Sequence, residues 1–138
     1  MSYEGCIFCE IVEGRVPVAK VYEDDFVLAF LDISPLSDGH TLVVSKQHSE
    51  RLHHCSPDVL SGLSDAVGKV AKAVVAAMKC DGYNVLCNNG AAAGQLVEHV
   101  HFHIIPRNNG DGIFNLWPAK KYPEGKIDEV AEIIRKNL

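Results

Sequence analysis

Histidine occupies every second position in His99-Val100-His101-Phe102-His103, and Ile104-Ile105-Pro106 follow. A period of two is the period of an extended strand, whose successive side chains point to opposite faces. The segment therefore predicts a strand with three imidazoles on one face and Val100, Phe102 and Ile104 on the other. The apolar face belongs against a core. The imidazole face belongs to a site, because imidazole titrates near neutrality and can act as nucleophile, proton donor or metal ligand.

Three such rings suit metal binding and catalysis alike, and the residues upstream help to separate the two. Asn88-Asn89-Gly90-Ala91-Ala92-Ala93-Gly94-Gln95 reads as a tight loop of small residues whose backbone N–H groups could approach an oxyanion. A loop of that kind running into a histidine strand suits a phosphate beside a nucleophile. Taken together, the His-x-His-x-His strand with its apolar successors, Gly94-Gln95 and Asn88 resemble the histidine triad superfamily, and most closely its Hint branch of nucleoside phosphoramidases. The resemblance continues in order through Cys6-Ile7-Phe8-Cys9-Glu10-Ile11-Val12, Val21-Tyr22-Glu23-Asp24-Asp25, Leu28-Ala29-Phe30-Leu31-Asp32-Ile33-Ser34-Pro35 and Gly39-His40-Thr41-Leu42-Val43-Val44, with His48 beyond. It covers most of residues 6–107. The tail after Arg107, with Trp117, resembles longer bacterial-type members less specifically.

At 138 residues the chain reads as one domain, 1–138, able to bury a core without disulfide staples. A net charge of −5 argues against a nucleic-acid polymer as partner, which needs a basic face, but leaves room for a mononucleotide in a local cradle. No apolar run reaches a membrane span, and Met1-Ser2-Tyr3-Glu4 has no basic signal-peptide head, so a soluble, cytoplasmic protein is expected. Five cysteines make no disulfide framework in that setting, and Cys55, Cys80 and Cys87 read as inert thiols. Cys6 and Cys9 form a Cys-x-x-Cys pair, either a metal knuckle or a redox pair. No strand precedes it, as a redox pair would want, and tetrahedral zinc would draw two further ligands from seven histidines.

Strands are expected over residues 19–22 and 26–32, joined as a hairpin, then 41–45, 83–87 and the histidine strand. Ser56-Pro57-Asp58 opens a helix reaching about Lys79, with Leu60, Leu63, Val67, Val70, Val74 and Met78 on its buried face and Asp81-Gly82 as its stop. Residues 126–137 read as a terminal amphipathic helix. The fold class is therefore α+β: an antiparallel meander of about five strands with one long helix on one face and a C-terminal helix.

The resemblance implies chemistry for particular residues. His101 would be the nucleophile, oriented by the backbone carbonyl of His99 and forming a nucleotidyl-histidine intermediate that water hydrolyses. His103 would contact the phosphate and the bridging atom, with His40 near the leaving group. Asn88, Gly94 and Gln95 would hold phosphate oxygens, and Leu96 stands where Hint proteins commonly have serine. Glu98, just before the triad, could shift leaving-group preference. Asp32 would accept both ribose hydroxyls, while Phe8, Ile11, Phe30, Ile33 and Leu42 would form an apolar slot for a purine. Zinc-bearing members imply a structural zinc on Cys6, Cys9, His48 and His99, with His53 and His54 as local competitors. The expected activity is cleavage of purine nucleoside 5′-phosphoramidates, or related nucleotidyl compounds, by a homodimer paired through its long helices and fourth strands. The alternatives are hydrolysis of dinucleoside polyphosphates, as in the Fhit branch, and a nucleotide- or zinc-binding regulator with little turnover.

Overall fold

Our computed structural model describes residues 3–114 and 116–138; Met1, Ser2 and Asn115 lie outside the described residues. Eight elements follow in order: α1 (Ile7–Val12), β1 (Lys20–Glu23), β2 (Val27–Leu31), β3 (Thr41–Ser45), α2 (Pro57–Met78), β4 (Gly82–Leu86), β5 (His101–Arg107) and α3 (Lys126–Arg135). Short 3-10 turns lie at Leu52–His54 and Ala91–Ala93. The five strands form one antiparallel sheet in the order β1-β2-β3-β5-β4. The order departs from a continuous meander at one point. After β3 the chain crosses by the 22-residue α2, enters β4 at the outer edge, and returns as β5 into the gap.

Both faces of the central strands are covered. Val27 and Ala29 of β2, Val43 of β3, and Val100 and Ile104 pack against Val59, Leu63, Ala66, Val70 and Val74 of α2. On the opposite face Leu28, Phe30, Leu42 and Val44 pack with Cys6, Phe8, Cys9 and Ile11 of α1 and its cap. This explains why β2 and β3 read as apolar runs rather than as alternating strands. The α2 stripe is rotated from the expected one. Val59, Ala66 and Ala71 are buried, Leu60 and Val67 are half-buried and Met78 is exposed, because small residues let α2 lie close to the sheet.

The expected caps hold at one end of α2 and shift at the other. Ser56 accepts the Val59 N–H, and Pro57 occupies the first turn. The helix ends at Lys79, a left-handed residue at φ 51, so Gly82 opens β4 instead of stopping α2. The sequence reading did not anticipate α1. Its signal was present all the same, since Cys6 caps the helix by accepting the Cys9 N–H on sulfur at 3.5 Å. Thiols three apart at a helix start are thereby brought together.

Two glycines of α2 give opposite expectations for one substitution. A Cβ at Gly68 would meet nothing within 4 Å, whereas at Gly62 it would lie 2.6 Å from Phe26 Cβ, on the stiff root of that side chain. Gly68→Ala should stabilise by about 0.5–1 kcal/mol through helix propensity. Gly62→Ala should destabilise by about 1 kcal/mol, because overpacking outweighs the same propensity gain. Urea denaturation midpoints of both variants against the parent check the two signs.

Candidate active site and metal centre

The β3–β5 register decides what the histidines meet. Val44 lies opposite His101 and Leu42 opposite His103, so His40, just before β3, falls beside His103, and His48, just after it, falls beside His99. The paired strand begins at His101, and His99 stands in the segment leading into it. Its ring still shares the α1 face of the sheet. Phe8 meets the rings of His99 and His101 edge-on, at centroid distances of 5.8 and 4.9 Å.

His101, His40 and His103 each have their proton placed by a neighbour. The Nδ1 of His101 lies 2.7 Å from the His99 carbonyl, which can only accept, so the proton sits on Nδ1 and Nε2 carries a bare lone pair. The Leu36 N–H donates to His40 Nδ1 at 3.0 Å, which leaves the His40 proton on Nε2. That Nε2–H lies 2.9 Å from His103 Nδ1, so the His103 proton is on its own Nε2. A backbone amide thus sets two tautomers in succession. The two rings of β5, with centroids 5.0 Å apart, offer an unprotonated nitrogen on one and an N–H on the other.

Burial keeps these rings neutral. It lowers His101 against the opposing pull of the His99 carbonyl and Asp32. It pushes His103 down to about 4, helped by neighbouring His101 and His40. It lowers His40 as well, with Asp32 opposing it.

The cleft in front of His101 and His103 encloses about 480 Å³. Phe8, Ile11, Phe30 and Leu42 are buried in its floor, and Val16, Pro17, Val18 and Leu31, which the sequence reading passed over, complete the apolar wall. Ile33 is 96 % exposed at the lip and contributes nothing to the core. Asp32 lines the cleft, with one carboxylate oxygen accepting the Ser34 N–H at 2.8 Å and the other 3.6 Å from His40 Nε2. Asn88, Gly94 and Leu96 also line it.

Three expectations are corrected here. The Gln95 side chain braces the loop: its Oε1 accepts the Gly90 N–H, and its Nε2 donates to the Glu50 and Val97 carbonyls. All its donors are spent, so it offers none to a phosphate. The N–H groups of Gly94 and Gln95 close the turn on the Ala91 and Gly90 carbonyls, which removes them from the expected cradle. His40 is 4 % exposed and does not line the cleft; it acts on His103 from behind. Glu98 is exposed and lines a neighbouring cleft.

Cys6, Cys9, His48 and His99 come together as a second cluster. His99 Nδ1 lies 3.3 Å from Cys6 Sγ, 3.6 Å from Cys9 Sγ and 3.2 Å from His48 Nδ1, and Cys9 Sγ lies 3.4 Å from His48 Nδ1. Tetrahedral zinc with bonds of about 2.0–2.3 Å sets its ligands about 3.3–3.8 Å apart, close to these separations. The donor set fits for a second reason. His99 Nε2 is 2.7 Å from the Ser45 carbonyl, so its proton is there and Nδ1 turns a lone pair toward two thiols and another imidazole nitrogen. His53 and His54 are exposed and outside the cluster. Asp32, His40 and His103 also converge, but the Leu36 N–H and the proton on His40 Nε2 occupy the positions a cation would need.

A HIT domain model matches residues 13–110. The chain belongs to the HIT family. This HIT protein is 42 % identical over 134 residues to the adenosine 5′-monophosphoramidase hnt1 of Schizosaccharomyces pombe, covering 96 % of this chain and 98 % of that one. It is 45 % identical over 136 residues to the adenylylsulfatase HINT3 of Arabidopsis thaliana, covering 96 % and 69 %. Among solved structures, a HIT family protein from Bacillus subtilis superposes with a TM-score of 0.92 at 43 % identity, covering 98 % of each chain. A Zn-bound histidine triad family protein from Mycobacterium smegmatis gives 0.74 at 33 % identity, covering 96 % and 97 %. Among the described residues, no helix of this HIT protein is long and apolar enough to cross a membrane.

Two outcomes follow from this geometry. Protein purified without added metal should carry about one zinc per chain. Elemental analysis should find it sharply reduced in Cys6→Ser and unchanged in His53→Ala; the reverse pattern would refute the ligand set. Burial disfavours the cationic form of His103, so its ring should take up a proton only as the pH falls toward about 4. An NMR titration of that ring checks this, and a midpoint near the ordinary value of about 6.5 contradicts it.

Proposed function

We propose that the protein cleaves purine nucleoside 5′-phosphoramidates, or related nucleotidyl compounds, to the nucleoside monophosphate through a nucleotide held on His101. One observation carries this reading: the His99 carbonyl takes the Nδ1 proton of His101 and leaves Nε2 bare in an apolar cleft, beside a His103 ring whose proton is on Nε2. Two relatives named for phosphoramidase and adenylylsulfatase activities support it.

His101 Nε2 attacks phosphorus in line with the P–N bond. As that bond breaks, its electron pair goes to the amine nitrogen, which accepts a hydrogen bond from His103 Nε2–H, takes a proton from a water molecule and departs as free amine, leaving hydroxide. The nucleotidyl-imidazolium that remains keeps its Nδ1–H on the His99 carbonyl, where the developing charge is stabilised. That hydroxide then attacks phosphorus and displaces His101, whose Nε2 recovers its lone pair. Both rings end in their starting tautomers. His40 keeps His103 in the donor form for the first step.

The nucleoside lies along the rest of the cleft, with Asp32 on the ribose hydroxyls and the purine between Phe8, Ile11, Phe30, Leu42 and the lip at Ile33. Asn88 reaches the phosphate end. Zinc held by Cys6, Cys9, His48 and His99 would be a tether without redox chemistry, and α1 would link it to this cleft: Cys6 caps and Cys9 lies on the short helix that supplies Ile7, Phe8 and Ile11 to the wall. We place the active unit as a homodimer, since β4 is an edge strand with Tyr83 and Val85 exposed and Met78 is exposed at the end of α2.

His101→Ala should abolish steady-state hydrolysis of an adenosine phosphoramidate while leaving nucleoside monophosphate binding measurable by calorimetry. Turnover close to the parent rate would show that another group is the nucleophile. Asp32→Ala should lose about 1–3 kcal/mol of affinity for a ribonucleotide and bind the 2′,3′-dideoxy form equally well. A variant that still discriminates like the parent would place the ribose elsewhere.

A further inference from the structure

The geometry points to Leu96 as the residue that selects the leaving group, favouring amines with an apolar or aromatic body over small polar ones. The inference rests on the proposed phosphoramidase reading and extends it. Leu96 is 95 % exposed on a loop that cannot withdraw it. The turn before it is closed by the Gly94 and Gln95 N–H groups, and the Gln95 side chain ties it to Gly90, Glu50 and Val97. Gly90 and Gly94, at φ 90 and φ 91, hold a backbone that other residues rarely adopt. A large apolar side chain is therefore presented to solvent by a braced support.

Its position gives that exposure a use. Leu96 lines the same cleft as His101 and His103, together with Asn88 and Gly94. It also lines a second cleft of about 460 Å³, which shares Ile7, Leu96 and Val97 with the first. With the nucleoside filling one end, the substituent on the far side of phosphorus extends past Leu96 along that shared apolar rim. Substrate then covers the leucine, and apolar surface left bare in the free protein is removed from water in proportion to the apolar area of the departing amine. The contact touches the leaving group alone, so it acts on P–N cleavage and not on hydrolysis of the nucleotidyl-histidine.

The test compares adenosine 5′-phosphoramidates of 2-phenylethylamine and of ethanolamine by kcat/KM, which reports the steps up to P–N cleavage. The parent should favour the phenylethylamide by about tenfold, the scale of discrimination by apolar contacts. Leu96→Ala should reduce that ratio to near unity, and Leu96→Met should restore most of it. A parent without preference, or a preference retained in Leu96→Ala, overturns the inference while leaving the phosphoramidase reading intact. Failure of the parent to turn over either amide overturns both.

Discussion

His99 is held on three sides, and the rest of the site depends on how. Its Nε2 proton goes to the Ser45 carbonyl on β3, its Nδ1 lone pair faces Cys6, Cys9 and His48, and its own carbonyl takes the Nδ1 proton of His101. One residue therefore joins the sheet, the Cys6–Cys9–His48 cluster and the His101 imidazole. All three bonds use groups that cannot exchange roles without leaving a buried polar atom unpaired, a loss of about 1–3 kcal/mol each. The tautomer of His101 is fixed by backbone geometry, not by solvent.

A parallel chain runs on the other side of β5. The Leu36 amide sets His40, and His40 sets His103, so neighbouring rings in one strand present opposite faces of imidazole chemistry. Burial pushes both members of this pair toward neutrality. That suits the proposed chemistry, in which one ring attacks and the other donates a hydrogen bond. The cleft wall carried on α1 adds a mechanical link, since Phe8 packs on His99, His101 and Phe30 from the same six-residue helix that carries Cys9.

Much of this was legible in the chain because it rests on local period. The alternation from 99 to 103 marked β5 and its two faces, β3 was read to its ends, and Ser56-Pro57 placed the start of α2. What escaped was set by long-range pairing. Nothing local shows that β5 returns between β3 and β4, and that insertion brings His40 to His103 and His48 to His99. The family resemblance implies Gln95 as a phosphate ligand, but its amide is taken by Gly90, Glu50 and Val97 across the loop. The α2 stripe was misjudged because Ala66 and Ala71 bury as well as valine where helix and sheet approach closely. The helix α1 was hidden by its shortness and by a cap made of sulfur.

The most direct measurement is rapid quench of the protein with an adenosine phosphoramidate, followed by peptide mapping in a mass spectrometer. The account predicts a transient adenylyl group on the peptide containing His101, attached to that ring and absent from His99 and His103. Adenylylation of another residue, or single-turnover product formation at the full rate with no covalent protein species at any time, would contradict it.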